Sequence, residues 1–330
     1  MKETLEFLYQ GGALTREEAK GILVKIGQNT YSEIEISSFL TVYLMREITP
    51  AELAGFRDAL LQLCLPVDLK DYHTIDVCGT GGDSKNTFNI STISAFILAG
   101  AGIRVSKHGN YGVSSPVGSS NILEHFGYRF SNDTQRLYRE VEKAGITYMH
   151  APLFHPAMKY VAPVRKALRT KTFFNMLGPM INPAKPAYQL VGVYSPAVQK
   201  LYHQVYRESG RQYMILHGLD GYDEISLTGK VQLIGNGFEE IMDSCDFGFE
   251  EVTPADLYGG NTTAEAAAIF MNVLKNQSTP AQKNVVLANT AAAIRCVNNQ
   301  QSWPECLAAA REALESGRAL ESFNRLISMQ

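Results

Sequence analysis

The most informative chemistry in the sequence is a glycine-rich run between a β-rich segment and an apolar one: Cys78-Gly79-Thr80-Gly81-Gly82-Asp83-Ser84-Lys85-Asn86-Thr87-Phe88-Asn89-Ile90-Ser91-Thr92. Glycine tolerates positive φ and close backbone approach, so successive N–H groups can converge on one anion, and the start of the following helix adds partial positive charge. The run reads as a phosphate cradle. It is not a Walker A loop, which needs G-x4-G-K-[ST], and the dinucleotide fingerprint would need glycine where Ser84 stands. A second polar stretch reads as the loop after the next strand and offers one cation and several donors: Lys107-His108-Gly109-Asn110-Tyr111-Gly112-Val113-Ser114-Ser115, then Gly118, Ser119 and Ser120. A third, Asp220-Gly221-Tyr222-Asp223-Glu224-Ile225-Ser226, sets carboxylates side by side. Two unit negative charges about 4 Å apart repel by about 4 kcal/mol at an effective dielectric of about 20, so acids that face phosphates call for a divalent cation between them. Mg2+, which takes one or two carboxylates plus phosphate oxygens, suits that place.

These loops need a frame that brings them together. Thr15/Glu18, Ser32/Glu35 and Thr49/Glu52 are S/T-x-x-E capping signals, each opening an apolar stripe at helical spacing, so residues 1–66 read as a small helical unit ending at Pro66. Beyond it, short β-rich runs at Thr74–Cys78, Arg104–Ser106, Ile146–Met149, Leu190–Tyr194 and Tyr213–Leu216 alternate with helical stretches. That alternation predicts an α/β fold, a mostly parallel central sheet with helices on both faces, whose loops share one crevice at the carboxyl ends of neighbouring strands. Residues 156–185, punctuated by prolines, read as a connector or a return to the helical unit, and 262–329 as a helical tail with a further capping signal at Thr279.

Composition narrows the class. Of 330 residues 45% are hydrophobic and 19% charged, with a net charge of −3, which excludes disordered and fibrous chains and argues against generic nucleic-acid binding. No secretory layout or membrane-length apolar run is visible, and five cysteines without a C-x-x-C pair fit a reducing cytoplasm. His150 and His155 lack a helical H-E-x-x-H setting, so zinc is not expected, and they read as structural.

The motifs GTGGD–TFNIST (79–83, 87–92), KHGN–SS–GS (107–110, 114–115, 118–119), R–FN–LGP–NP (165, 173–175, 177–179, 182–183), QLVGVYSP (189–196) and HG–DG–DEIS (217–226) resemble the anthranilate phosphoribosyltransferases, in order through nearly the whole chain. The resemblance implies transfer of the 5-phosphoribosyl group from phosphoribosyl pyrophosphate to the amine of anthranilate, releasing pyrophosphate, in tryptophan biosynthesis. It implies a donor site at Gly79, Gly82, Asp83, Thr87, Asn89, Ile90, Ser91 and Thr92, completed by Lys107, His108, Gly109, Asn110, Tyr111, Gly112, Val113, Ser114, Ser115 and Ser119. Anthranilate contacts correspond to Gly79, Asn110 and Arg165, and Mg2+ contacts to Ser91, Asp223 and Glu224. The implied fold joins a small helical domain (1–66 with about 160–185) to an α/β domain (67–159 and 186–330), with a homodimer formed through the helical units.

A neutral amine needs positioning more than deprotonation, so Lys107, the metal and the loop amides are expected to stabilise the departing pyrophosphate. Arg165 is the expected clamp for the anthranilate carboxylate, and His108 a candidate acceptor for the amine proton. The chain departs from the family pattern at Tyr111, where arginine is common, at Pro116, and at Arg169 and Lys171, where glycine and arginine are customary. Two rival readings remain: a pyrimidine nucleoside phosphorylase, which would leave the Asp223-Glu224 pair idle, and a non-catalytic nucleic-acid-binding paralogue, which would call for a basic groove.

Overall fold

A computed structural model describes residues 1–112 and 116–330. Val113, Ser114 and Ser115, expected in the donor site, lie outside the described residues. The sheet has seven strands: β1 (Ile75–Gly79), β2 (Val105–Gly109), β3 (Ile146–His150), β4 (Tyr188–Gly192), β5 (Gln212–Gly218), β6 (Val231–Gly235) and β7 (Phe238–Met242). Their order is β3-β2-β1-β4-β5-β6-β7, parallel from β3 to β5 and antiparallel from β5 to β7. The β6–β7 hairpin is absent from the sequence reading, although it turns on the two residues Asn236-Gly237. The five parallel strands match the expected runs, and two apolar layers explain why those runs lack alternation. Leu190, Met214 and Leu216 face one core with the helices Ile90–Gly100 and Pro280–Val297, while Val191, Tyr213 and Ile215 face another with the helix Pro196–Arg207.

All three N-terminal capping boxes form, at Thr15, Ser32 and Thr49, and they open the helices Arg16–Gly27, Glu33–Met45 and Pro50–Leu63. Those helices bury Phe39, Leu40, Phe56 and their neighbours in one cluster with Val161, Val164, Phe173, Phe174 and Leu177 from the proline-punctuated stretch, and Phe56 stacks on Phe173 at 4.4 Å. The stretch thus brings the helix Ala162–Leu168, which carries Arg165, against the N-terminal helices. At the other end of the chain Thr279 caps the helix Pro280–Val297 as expected, and this helix is buried along most of its length beside the helix Ile90–Gly100.

After β1 the strand order runs outward to β2 and β3 on one side and to β4 and β5 on the other. This reversal opens a crevice outside the carboxyl ends of β1 and β4, the place where sheets of this kind bind ligands. Gly79 and Gly192 pair there as the last residues of the two strands.

Candidate active site at the reversal of the sheet

The glycine-rich loop leaves β1 directly at this crevice, with the Thr80 N–H donating to the Gly192 carbonyl at 2.9 Å. Gly81 (φ +64°) and Gly82 (φ +83°) take the left-handed conformation, and so does Ser84 (φ +60°), where a side chain costs about 1 kcal/mol. The loop then enters the helix Ile90–Gly100. Asn89 precedes that helix without a side-chain cap, its amide donating instead to the Val117 carbonyl at 3.2 Å. Of the first-turn N–H groups, Ile90 donates to the Phe88 carbonyl at 2.7 Å and Ser91 to Glu224. Ile90 and Thr92 are buried, whereas Ser91 is only partly so.

A buttress that the sequence reading leaves unassigned holds the far side of the loop. Gly259 N–H donates to the Asn86 carbonyl at 2.8 Å, Phe88 N–H to the Leu257 carbonyl at 3.0 Å, and the Asn86 amide to the Gly260 carbonyl at 2.9 Å. A Cβ at Gly259 would stand 2.5 Å from the Thr87 carbonyl oxygen, so the Gly259-Gly260 pair was the available signal.

The acidic loop after β5 closes over the same crevice. The Gly81 N–H donates to Asp223 Oδ2 at 2.7 Å, and a Cβ at Gly79 would lie 2.3 Å from that oxygen. Asp223 is buried, and burial together with the Asp83 and Glu224 charges drives its carboxyl well above the usual carboxylate range. Glu224 is also raised, chiefly by burial, against the opposing pull of Lys107 and of the Ser91 amide and hydroxyl. The adjacent Ile225 is fixed from the C-terminal helices, since the Asn289 side chain accepts its N–H at 3.0 Å and donates to its carbonyl at 2.8 Å.

Lys107, His108 and Gly109 are the end of β2 rather than a loop. Lys107 is 2% exposed, and its Nζ donates to the Val77 carbonyl at 2.5 Å and lies 3.4 Å from Ser91 Oγ. Its positive charge offsets Glu224 and the fully buried Asp76, both of which burial raises. The following segment folds back tightly: Asn121 Oδ1 accepts the N–H groups of both Gly112 (3.0 Å) and Gly118 (2.9 Å), and Ser119 Oγ bonds Tyr148 Oη at 2.7 Å beside Gly109. Asn110 Oδ1 accepts the N–H of Tyr111. The Tyr111 ring packs edge-on to His150 and its hydroxyl donates to Glu124 at 3.2 Å, which ties this residue to the helix Ser119–His125.

The helical return supplies the remaining wall. Arg165 is half-buried, lies 5.4 Å over the Phe174 ring, and donates to Asn175 Oδ1 at 3.4 Å. Burial lowers its pKa and no carboxylate offsets the effect among the described residues, so the guanidinium lacks an anion. His108 Nδ1 lies 3.2 Å from the Gly178 carbonyl, and its ring meets that of His155 at 5.3 Å. His108 Nε2 and both nitrogens of His155 are buried without a hydrogen-bond partner. His155, read from sequence as structural, therefore joins the candidates, and only the tertiary packing reveals it.

Burial pushes the pKa of His108 down to about 3 and that of His155 to about 4. Unfolding restores a value near 6.5, so across the window from about 6.5 to 4 the unfolded chain binds protons that the folded one refuses, and stability falls as pH falls. The expected result is an acid limb in the melting temperature of the ligand-free protein that His155→Gln partly flattens. An unaltered limb in that variant would assign the proton uptake to other groups.

Asp223, Glu224, Asp83 and the Ser91 hydroxyl are hard oxygen donors whose crowding favours a cation, and they fit Mg2+. Among the described residues no group of three or more His, Cys, Asp and Glu side chains forms a ready cage, so the remaining ligands have to come from a bound phosphate or water.

Comparison with known proteins gives a consistent result. The helical bundle domain of the glycosyl transferase family matches residues 2–64, and the a/b domain of the same family matches residues 71–320. The chain is 51% identical to the anthranilate phosphoribosyltransferase of Christiangramia forsetii over 99% of its own length and 98% of the relative's, and 49% identical to that of Bacteroides thetaiotaomicron over 100% and 99%. Among solved structures it resembles the anthranilate phosphoribosyltransferase of Thermus thermophilus (TM-score 0.92, 29% identity, 98% of each chain). It also resembles the Saccharomyces cerevisiae enzyme in complex with PRPP and Mg (TM-score 0.91, 26% identity, 98% of this chain and 96% of that one). No helix among the described residues is long and apolar enough to cross a membrane.

Proposed function

The chain belongs to the anthranilate phosphoribosyltransferase family, and from that premise we propose how its site performs the reaction. The protein transfers the 5-phosphoribosyl group from phosphoribosyl pyrophosphate to the amine of anthranilate, giving N-(5-phosphoribosyl)anthranilate and pyrophosphate in tryptophan biosynthesis. The donor occupies the crevice between β1 and β4, its phosphates facing the amides of residues 79–92 and the Asn110–Ser119 segment. The observation that carries this reading is the 2.7 Å bond from the Gly81 amide to Asp223, which joins the phosphate cradle to the acidic loop.

When bound, Mg2+ held by Asp223, Glu224 and Ser91 would neutralise charge on the pyrophosphate. The chain's own groups do the rest. Lys107 keeps the carboxylate pair from repelling the donor, and the loop amides stabilise the leaving group as the C1–O bond breaks and the N–C1 bond forms. Arg165 clamps the anthranilate carboxylate, with Asn110 and Gly79 as further acceptor contacts. His108, held neutral by burial, presents an unpartnered Nε2 that can take the proton lost from the amine. The test of the whole reading is anthranilate fluorescence, which should disappear only when phosphoribosyl pyrophosphate and Mg2+ are both present. Turnover that survives a chelator would remove the metal, and phosphorolysis of a pyrimidine nucleoside would favour the rival enzyme.

Arg165→Ala is expected to raise the Michaelis constant for anthranilate by about 100-fold, since a charge-assisted bidentate contact is lost, while that for the donor changes little. Equal effects on both constants would reject the clamp.

A homodimer through the helical units is part of the same proposal. It is supported by an exposed apolar face on the helices Lys2–Tyr9 and Glu33–Met45, where Tyr9 is 64%, Ile34 79% and Met45 83% exposed. Sedimentation of Tyr9→Glu with Met45→Glu should show monomers, and a persisting dimer would place the interface elsewhere. The proposed division into a helical domain (1–66 with about 160–185) and an α/β domain (67–159 and 186–330) is supported by the apolar contacts of Val161–Ile181 with the N-terminal helices, in a cluster that continues into β4, β5 and the helix Pro196–Arg207. Cytoplasmic residence is supported by five free thiols, and the net charge of −3 supports small molecules rather than nucleic acid as partners.

A further inference from the structure

One cation at the mouth of the crevice has no part in the reading so far. Lys171 lies in the turn after the helix Ala162–Leu168, on the segment that also carries Arg165 and Asn175. Arg169 ends that helix in the left-handed conformation (φ +53°), which explains why glycine is customary at its position and turns the chain toward the sheet. Lys171 Nζ then reaches across to the glycine-rich loop and donates to the Gly82 carbonyl at 2.6 Å, with the Tyr194 ring 5.7 Å away beyond the end of β4. The contact is close enough that a Cβ at Gly82 would stand 3.2 Å from the ammonium. Thr172, the next residue, is anchored through its N–H to Asn175 Oδ1 at 3.0 Å, the same oxygen that Arg165 approaches.

We propose that Lys171 is a positioning residue for the phosphoribosyl donor, acting through the peptide that joins Gly82 to Asp83. A peptide unit is planar and trans, so its C=O and N–H point in opposite directions, and fixing one fixes the other. On one side of this unit Gly82 (φ +83°) tolerates either orientation, and on the other Asp83 Oδ1 accepts the Lys85 N–H at 3.0 Å. The charge-assisted bond from Lys171 holds the Gly82 carbonyl outward and therefore holds the Asp83 N–H in a single orientation within the cradle. Because the lysine belongs to the segment that carries Arg165, this bond ties the acceptor side of the crevice to the donor loop. This inference rests on the donor site proposed above.

The experiment compares the unsubstituted enzyme with Lys171→Met and Lys171→Arg. Donor affinity is read from protection against limited proteolysis by phosphoribosyl pyrophosphate with Mg2+, and both Michaelis constants and kcat are read from anthranilate fluorescence. Lys171→Met should weaken donor binding and raise the donor Michaelis constant five- to tenfold, with kcat and melting temperature little altered, and Lys171→Arg should restore most of the loss. Donor binding within twofold of the unsubstituted enzyme in Lys171→Met overturns the proposal. So does a loss that Lys171→Arg fails to rescue, or one that falls on kcat alone. Failure of the unsubstituted enzyme to bind the donor would instead overturn the site reading on which the inference stands.

Discussion

Asp223→Asn combined with Glu224→Gln is expected to lower kcat/KM by about 1,000-fold while leaving the fold intact and the ligand-free protein slightly harder to melt. The two effects share one cause. Both carboxyls are raised chiefly by burial, the Asp83 charge adds to each, and the Glu224 charge adds further on Asp223. Amides of the same shape remove that repulsion and still offer an oxygen to the Gly81 N–H. Relief of 1 kcal/mol would raise the melting temperature by roughly 2 °C in a chain of this size. They do not bind Mg2+, however, and the loss of preorganised charge stabilisation commonly costs 100- to 1,000-fold, or about 3 to 4 kcal/mol. Circular dichroism and calorimetry check the first half, and anthranilate fluorescence at saturating Mg2+ the second. An active double variant moves the metal away from these residues, and an unfolded one gives the pair a structural role.

The second large effect concerns Gly192, the last residue of β4. A methyl group there would lie 1.6 Å from the Asp223 carbonyl oxygen and 2.5 Å from its carbon, both backbone atoms that no rotamer change can move. Gly192→Ala must therefore displace the acidic loop or the end of the strand, and overpacking of this kind costs about 3 kcal/mol or more. The expected outcome is a clear fall in melting temperature together with loss of turnover. Gly21→Ala is the control: its methyl group meets nothing within 4 Å in the helix Arg16–Gly27, and it should stabilise by about 0.5 to 1 kcal/mol. Unchanged stability in Gly192→Ala would mean that the acidic loop does not rest on β4.

What the sequence disclosed and what it concealed divide along the range of the interactions. Each capping box is settled within four residues, so Thr15, Ser32, Thr49 and Thr279 could be read directly. The glycine-rich loop was legible because positive φ leaves its mark on residue type. Lys107 was harder: a charged side chain at a buried strand position contradicts composition, and the Val77 carbonyl, the Ser91 hydroxyl and the charges of Asp76 and Glu224, all distant in sequence, make it tolerable. The same holds for His155, which acquires meaning only beside His108, and for Leu257–Gly260, whose partners lie on the far side of the sheet sequence. The β6–β7 hairpin is a different case, since Asn236-Gly237 is a strong local turn signal and its partial polarity alone masked the strands.

The grip of Asn289 on Ile225 has a consequence for how the enzyme is made. As the polypeptide emerges from the ribosome, the glycine-rich loop and its strands precede the acidic loop, and the hold on Ile225 that completes the packing of that loop is missing until Asn289 has been synthesised and has docked. The last anchor of the acidic loop is therefore among the last parts of the chain to be made.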